Sequence, residues 1–413
     1  MKRKIIAGFM AFLLLAVLAA CNSAGTTPSV SDAPDAPDAV ELIIWHDKED
    51  AVAAELQAEL DKLNPEIIVS LEKKHGLTEA LKMSGNDPRA APDMYFFAHD
   101  KLGVYAEMGL LAPVTDFVDA VTLDGFLPMT ISAATYKGEV YQLPIYFETL
   151  LFMYNRAFMS DEDVPATTED LYAYMQEVTK DGFYGFLEQH SEAYFSAGWI
   201  HGFGGEMISS DGVPQLNSEK TIAALNYHLK FVRLMIGESD YATTNTLFRE
   251  GMAASTIGGP WLVPAVREAG IDLGLSEMPV VNETGLPLAP FSGVQGLHVL
   301  KVAADNADKN AAIGKVLNQL CNTDIGVSMA QASGSAPAFE ECYELDTVQG
   351  DDMVMLMRKV AEDAVPMPSI PEMDVMWNAV NNMLVDVNMR RVDVEEAANK
   401  AQARAEELIA AMR

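Results

Sequence analysis

Between Val40 and Ala98, short Val- and Ile-rich runs alternate with apolar residues at helical spacing, and few folds accommodate that pattern. Val40–Trp45, Glu66–Leu71 and Asp93–Ala98 read as buried strands. Val52, Leu56, Leu60 and Leu63 recur every three or four residues in the first gap, and Leu77–Met83 reads as a helix in the second. A β-α-β-α-β order builds a parallel sheet covered on both faces, and such sheets gather ligands at the carboxyl ends of their strands. His46–Glu49 and Ala98–Lys101 follow two of those ends.

Further along, the alternation in Gly138–Tyr146 predicts a strand, followed at once by another over Leu150–Tyr154. Thr167 or Thr168 is placed to cap a helix running to about Lys180, and Ser218 one whose apolar stripe is Ile222, Leu225, Leu229 and Val232. Ala254–Ile257 and Val294–Val302 read as strands, and a charged amphipathic helix starts at Asp393. A chain of 413 residues exceeds what one hydrophobic core usually serves, so two lobes are expected.

The N-terminus has its own logic. Lys2, Arg3 and Lys4 precede an uncharged run from Ile5 to Ala20, the pattern of a secretory signal over residues 1–20. Leu18-Ala19-Ala20-Cys21 resembles the lipobox of bacterial lipoproteins, which implies lipidation of Cys21 and a body held at the extracytoplasmic face of the cell membrane. The Pro- and Asp-rich residues 21–39 cannot bury apolar surface and read as a flexible tether, reaching about 60 Å at full stretch. No later apolar run is long enough to cross a bilayer. The formal net charge of −32 repels phosphate backbones and argues against a nucleic-acid partner. Cys321 and Cys342 are free to pair or to remain buried thiols, and only their separation decides.

Several collinear stretches carry a family resemblance. They are Leu42-Ile43-Ile44-Trp45 with Asp47-Lys48; Pro92 to Lys101 leading to Gly109-Leu110-Leu111; Tyr141 to Ile145 with Glu148 and Tyr154-Asn155; Phe248 to Gly251 before Gly259-Pro260-Trp261; and Met367 to Pro371 with Trp377. Together they resemble the bacterial extracellular solute-binding proteins of the maltose-binding type. The resemblance implies a two-lobe, type II periplasmic-binding-protein-like α/β fold, each lobe a mostly parallel sheet flanked by helices, joined by a hinge. Mapped onto this chain, one lobe takes residues 40–146 plus 297–345 and the other 151–293 plus 353–413. The bending elements fall near Phe147–Leu150 and Gly293–Gly296, and hinge closure of such lobes is a known domain motion. The same resemblance implies a monomer without cofactor or metal, which takes a maltodextrin-like oligosaccharide and passes it to the permease subunits of an ATP-binding-cassette importer.

A sugar ring offers apolar faces to aromatic rings and hydroxyls to charged acceptors and donors. By resemblance the rings are Phe97, Tyr194, Phe195, Trp261 and Trp377, and the polar residues Asp47, Lys48, Asp100, Lys101, Glu148 and Glu192. Taken alone, Trp261 and Trp377 read better as core and the carboxylates as solvated surface, but the Gly-Gly-Pro before Trp261 and the Pro-rich run before Trp377 place both rings at loop or helix starts, which favours function. This chain departs from the family pattern at Phe97, where a tryptophan is expected, at Lys101 in place of an arginine, and at Asn378 in place of a tyrosine. Lysine keeps the charge and loses the planar fork, so recognition at that point differs. The family's acidic residue between the second and third strands has no counterpart around Thr78 and Glu79. Other readings are a different oligosaccharide, a sensor lipoprotein, and a lipid-anchored glycoside hydrolase using two of these carboxylates. The seven histidines form no metal-ligand spacing, and neither a Gly-x-Ser-x-Gly elbow nor a phosphate loop occurs.

Overall fold

The computed structural model describes residues 39–412. The signal, Cys21 and nearly all of the tether lie outside the described residues. The chain begins with β1 (Val40–His46), α1 (Asp50–Leu60), β2 (Ile67–Lys73), α2 (Leu77–Ser84) and β3 (Met94–Ala98), the expected alternation. It continues through β4 (Leu143–Thr149), β5 (Leu151–Asn155), α3 (Thr168–Val178), α4 (Ala193–Gly202), α5 (Glu219–Val232), β6 (Ser255–Gly258) and β7 (Leu273–Ser276). The last third holds β8 (Phe291–Leu300), β9 (Ala336–Pro337), α6 (Asp352–Asp363), α7 (Met373–Leu384) and α8 (Val394–Met412).

Local chemistry sets several of these boundaries. The Thr167 hydroxyl accepts from the Asp170 amide while the Asp170 carboxylate accepts from the Thr167 amide, a reciprocal capping box that starts α3. Ser218 caps α5 at the Thr221 amide, and Asp393 takes the amides of Glu395 and Glu396 where α8 begins. The strand expected over Gly138–Tyr146 is split. Glu139–Val140 forms its own hairpin arm with Thr135–Tyr136, and β4 starts only at Leu143. Between them the buried Gln142 amide donates to the carbonyls of Phe97 and Val294, which ties the turn to two neighbouring strands.

The main sheet runs β9-β4-β8-β3-β1-β2. β1 is parallel to β2 and β3, as the βαβ pattern requires, whereas β8 is antiparallel to both β3 and β4. In the second lobe β7-β5-β6 is antiparallel throughout, with single parallel bridges at Tyr184–Ala253 and Leu187–Thr256. The expectation of a mostly parallel sheet in each lobe is thus corrected: it holds for β1, β2 and β3. β4 carries the chain out of the first lobe and β8 carries it back, so the two run in opposite senses where they pair.

Buried side chains separate into the cores of two lobes. One gathers Leu42, Ile44, Phe96 and Ile145 with Leu297 and Val316. The other side holds Phe152, Phe186, Trp199 and Phe248 in one cluster, and Ala197, Met376, Met383 and Ala401 in a second. β4 passes from the first core at Ile145 to a junction cluster at Phe147, where α6 contributes Val354, Met357 and Val360. β8 makes the return passage, with Phe291 in the second-lobe core, Val294 at the junction and Leu297 in the first. The segments expected to bend face each other across this passage, Glu148 opposite Gly293 and Phe147 opposite Val294. Cys321 and Cys342 are both free thiols, and burial pushes each up to about 12.

Candidate functional site

Two adjoining chambers of about 370 and 470 Å³ lie between the lobes and share Glu148, Trp261 and Gln295. The first is completed by Asp100, Lys101, Tyr194, Met367 and Trp377, and the second by Asp47, Lys48, Tyr146 and Glu268, among others. A surface recess of about 520 Å³ beside Leu123, Phe126 and Ile131 is larger, but it offers one carboxylate and no cation, so it lacks the mixed chemistry of the groove.

The strand ends deliver the first-lobe charges. Asp47 and Lys48 follow β1, and Asp100 and Lys101 form the single turn after β3. Lys48 Nζ lies 2.8 Å from Asp47 Oδ1 and donates to Gln295 Oε1 at 2.8 Å. Gln295 Nε2 in turn donates to Glu148 Oε1 at 2.7 Å, so a chain of polar groups crosses from β1 through β8 to β4. Burial raises the Glu148 pKa above the usual carboxylate range, and Lys48 only partly pulls it back. Behind this floor His99 is fully buried. Its Nδ1 accepts from the Val294 amide at 3.0 Å and its Nε2 donates to the Met367 carbonyl at 2.8 Å, while burial lowers its pKa. His99 therefore joins three chain segments as a neutral ring.

The second-lobe wall is aromatic. Trp261 and Tyr194 have ring centroids 6.4 Å apart, Tyr194 stacks on Phe291 at 6.4 Å, and Phe291 meets Trp377 edge-on at 5.6 Å. The buried Phe291 thus links the tryptophan rings into one row. Of the four tryptophans, Trp45 and Trp199 are buried core, and the part-exposed pair is the one that lines the groove. Trp261 sits in the single turn Pro260–Leu262, its ring folded back over Gly259, where a Cβ would come within 2.2 Å of the ring. The Gly-Gly-Pro context is what allows that pose.

Of the residues expected from sequence, Asp47, Lys48, Asp100, Lys101, Glu148, Tyr194, Trp261 and Trp377 meet in the groove. Three others stand behind or beside it. Phe97 packs behind Lys48, whose Nζ is 5.3 Å from its ring centroid, and Phe195 packs edge-on against Tyr194. Glu192 is exposed before α4 and accepts from Asn381 Nδ2 at 2.9 Å. The structure adds Gln295, which with Ser292 and His298 is one of three buried polar side chains in β8, and Asp374, which pairs with Lys101 at 2.9 Å. Asp374 lies one helical turn before Trp377, a spacing that was the available signal.

Comparison with known proteins decides the family. The profile described as bacterial extracellular solute-binding protein matches residues 51–355. This chain belongs to that family. As a solute-binding protein it works outside the cytoplasm. Its relatives include a maltotriose-binding protein of Pyrococcus abyssi, 28% identical over 88% of this chain and 81% of that one. A galactooligosaccharide-binding protein of Bacillus subtilis is 27% identical, covering 87% of each. Among solved structures, the maltose/maltodextrin-binding domain MalE of Bdellovibrio bacteriovorus bound to maltotriose gives a TM-score of 0.80 at 25% identity, covering 90% of this chain and all (100%) of that one. A cyclo/maltodextrin-binding protein complexed with maltotetraose gives 0.78 at 25% identity over 91% and 98%. The solute-binding protein thus shares its whole two-lobe architecture with sugar-binding relatives.

Proposed function

We propose that this solute-binding protein captures a maltodextrin-type oligosaccharide between its lobes and passes it to the permease of an ATP-binding-cassette importer. The observation that carries the reading is one groove with a row of aromatic rings on one wall and Asp47, Asp100 and Glu148 on the other. Rings take the apolar faces of glucosyl units and carboxylates take their hydroxyls. The relatives that bind maltotriose and maltodextrin support the ligand class, and the galactooligosaccharide-binding relative supports a different oligosaccharide as the second reading. Calorimetric titration with maltooligosaccharides and galactooligosaccharides separates them. The proposal predicts tight binding of the former and fails if the latter bind better.

Hydrolysis requires a general acid and a second carboxylate free to serve as base or nucleophile across the scissile bond. Asp47 and Asp100, the other carboxylates shared by the groove and the expected set, are each paired with a lysine. That pairing favours a carrier over a hydrolase, and incubation with maltooligosaccharides should leave no new reducing ends. Membrane attachment through a lipidated Cys21 belongs to the same proposal and rests on the Leu18-Ala19-Ala20-Cys21 sequence. Cys21→Ala should move the protein from the membrane to the soluble fraction with unchanged sugar affinity; retention in the membrane fraction contradicts lipidation at Cys21.

The raised Glu148 pKa sets a pH dependence with a definite sign. Hydroxyls donating to the carboxylate favour its charged form, so affinity is full above the raised pKa and falls as pH drops through it. Titration from about pH 8 down to about pH 4 should show this loss above the range of an ordinary glutamate, and Glu148→Gln should flatten that part of the profile. An unchanged profile in Glu148→Gln removes Glu148 from sugar contact.

A further inference from the structure

The lobes meet through charge as well as through shared strands. Helix α7 belongs to the second lobe, where Met373, Met376, Val380 and Met383 enter its core. Asp374, on a different face, meets first-lobe side chains: one carboxylate oxygen lies 2.9 Å from Lys101 Nζ and the other 3.0 Å from Lys82 Nζ. Lys82 stands on α2, whose Leu77 and Leu81 are buried in the first lobe, and Lys101 also lies 3.2 Å from Asp100. Exposure across this cluster runs from 11% at Asp100 to 27% at Lys82, so its ions are partly buried yet remain within reach of added salt. Burial alone would raise the Asp374 pKa, yet Lys101 and Lys82 hold its carboxyl below the usual range.

The segment leading into α7 is seated on the first lobe as well. The Gly103 amide donates to the Ser369 carbonyl at 2.8 Å, and a Cβ at Gly103 would come within 2.1 Å of that oxygen. Asp374 and Trp377, one turn apart on the same helix, are therefore held together against the first lobe. An ammonium has three donors. Asp100 and Asp374 engage Lys101 from two sides, which leaves one N–H for anything that enters the groove.

We infer that Asp374 is a positioning residue that sets specificity: reaching from the second lobe, it clasps Lys101 so that a single donor faces the saccharide, and it holds the Trp377 wall against the first lobe. This rests on the sugar-binding reading of the groove. Without the clasp, Lys101 swings freely and the lobes separate more widely at rest.

A double-mutant cycle on the full chain tests it, using wild type, Asp374→Asn, Lys101→Met and the double variant, titrated with maltotriose at low and high salt. Asp374→Asn should weaken binding about fivefold and reduce its salt dependence, Asp374→Glu should restore part of the loss, and Asp374→Asn should add little in the Lys101→Met background. Equal losses in both backgrounds, or an unchanged affinity and salt response, overturn the inference while leaving sugar binding intact. Should wild type bind no saccharide, the functional reading itself fails. Small-angle scattering without sugar then still decides the clasp: a larger radius of gyration for Asp374→Asn supports it, and an identical one overturns it.

Discussion

Trp261→Ala should weaken maltotriose binding by about 2 kcal/mol, roughly thirtyfold, while leaving the protein folded. The ring is shared by both chambers, so its loss strips an apolar platform from the middle of the groove. Large aromatic rings bring both buried area and a preferred face-on geometry, and the binding cost reflects both. Trp261 is part-exposed and occupies a short turn at the edge of its core cluster, so the stability cost is small. Trp261→Phe keeps a flat ring and should recover much of the affinity. Isothermal titration of the three proteins measures this, and wild-type affinity in Trp261→Ala would place the sugar elsewhere.

Trp199→Ala should do the opposite, costing about 3–5 kcal/mol of stability with little direct effect on the site. Trp199 is 1% exposed, stacks on His228 at 4.6 Å, and packs against Phe231. Its Nε1 donates to both Glu188 oxygens, at 3.0 and 3.1 Å, and Glu188 also pairs with His228. Removing the indole opens a cavity and takes a hydrogen bond from a fully buried carboxylate, and the second effect adds to the first. Urea unfolding should show a midpoint far below wild type, with near-normal sugar affinity in the folded fraction. A midpoint within experimental scatter of wild type would mean that the Glu188 cluster contributes little.

These tryptophans show how far the sequence could be read. Trp261 and Trp377 stood beside Gly-Pro and Pro-rich turns, and that context marked them as something other than core. Asp47, Lys48, Asp100 and Lys101 were legible because the βαβ pattern locates strand ends, and strand ends locate ligands. Gln295 was hidden because hydropathy registers the strand around it and says nothing of one amide that links Lys48 to Glu148. The antiparallel sense of β5, β6 and β7 was equally hidden, since periodicity reports that a segment is a strand and not which strand it pairs with. Phe97 and Phe195 carried the right chemistry, but neighbours took the front positions: Lys48 lies over one ring and Tyr194 packs against the other.

The most direct test of sugar capture is a crystal structure of the protein grown with maltotriose. The account predicts an intact trisaccharide with glucosyl faces on Trp261 and Trp377 and a hydroxyl donating to Glu148. A cleaved sugar, or one bound away from the interlobe groove, would contradict it.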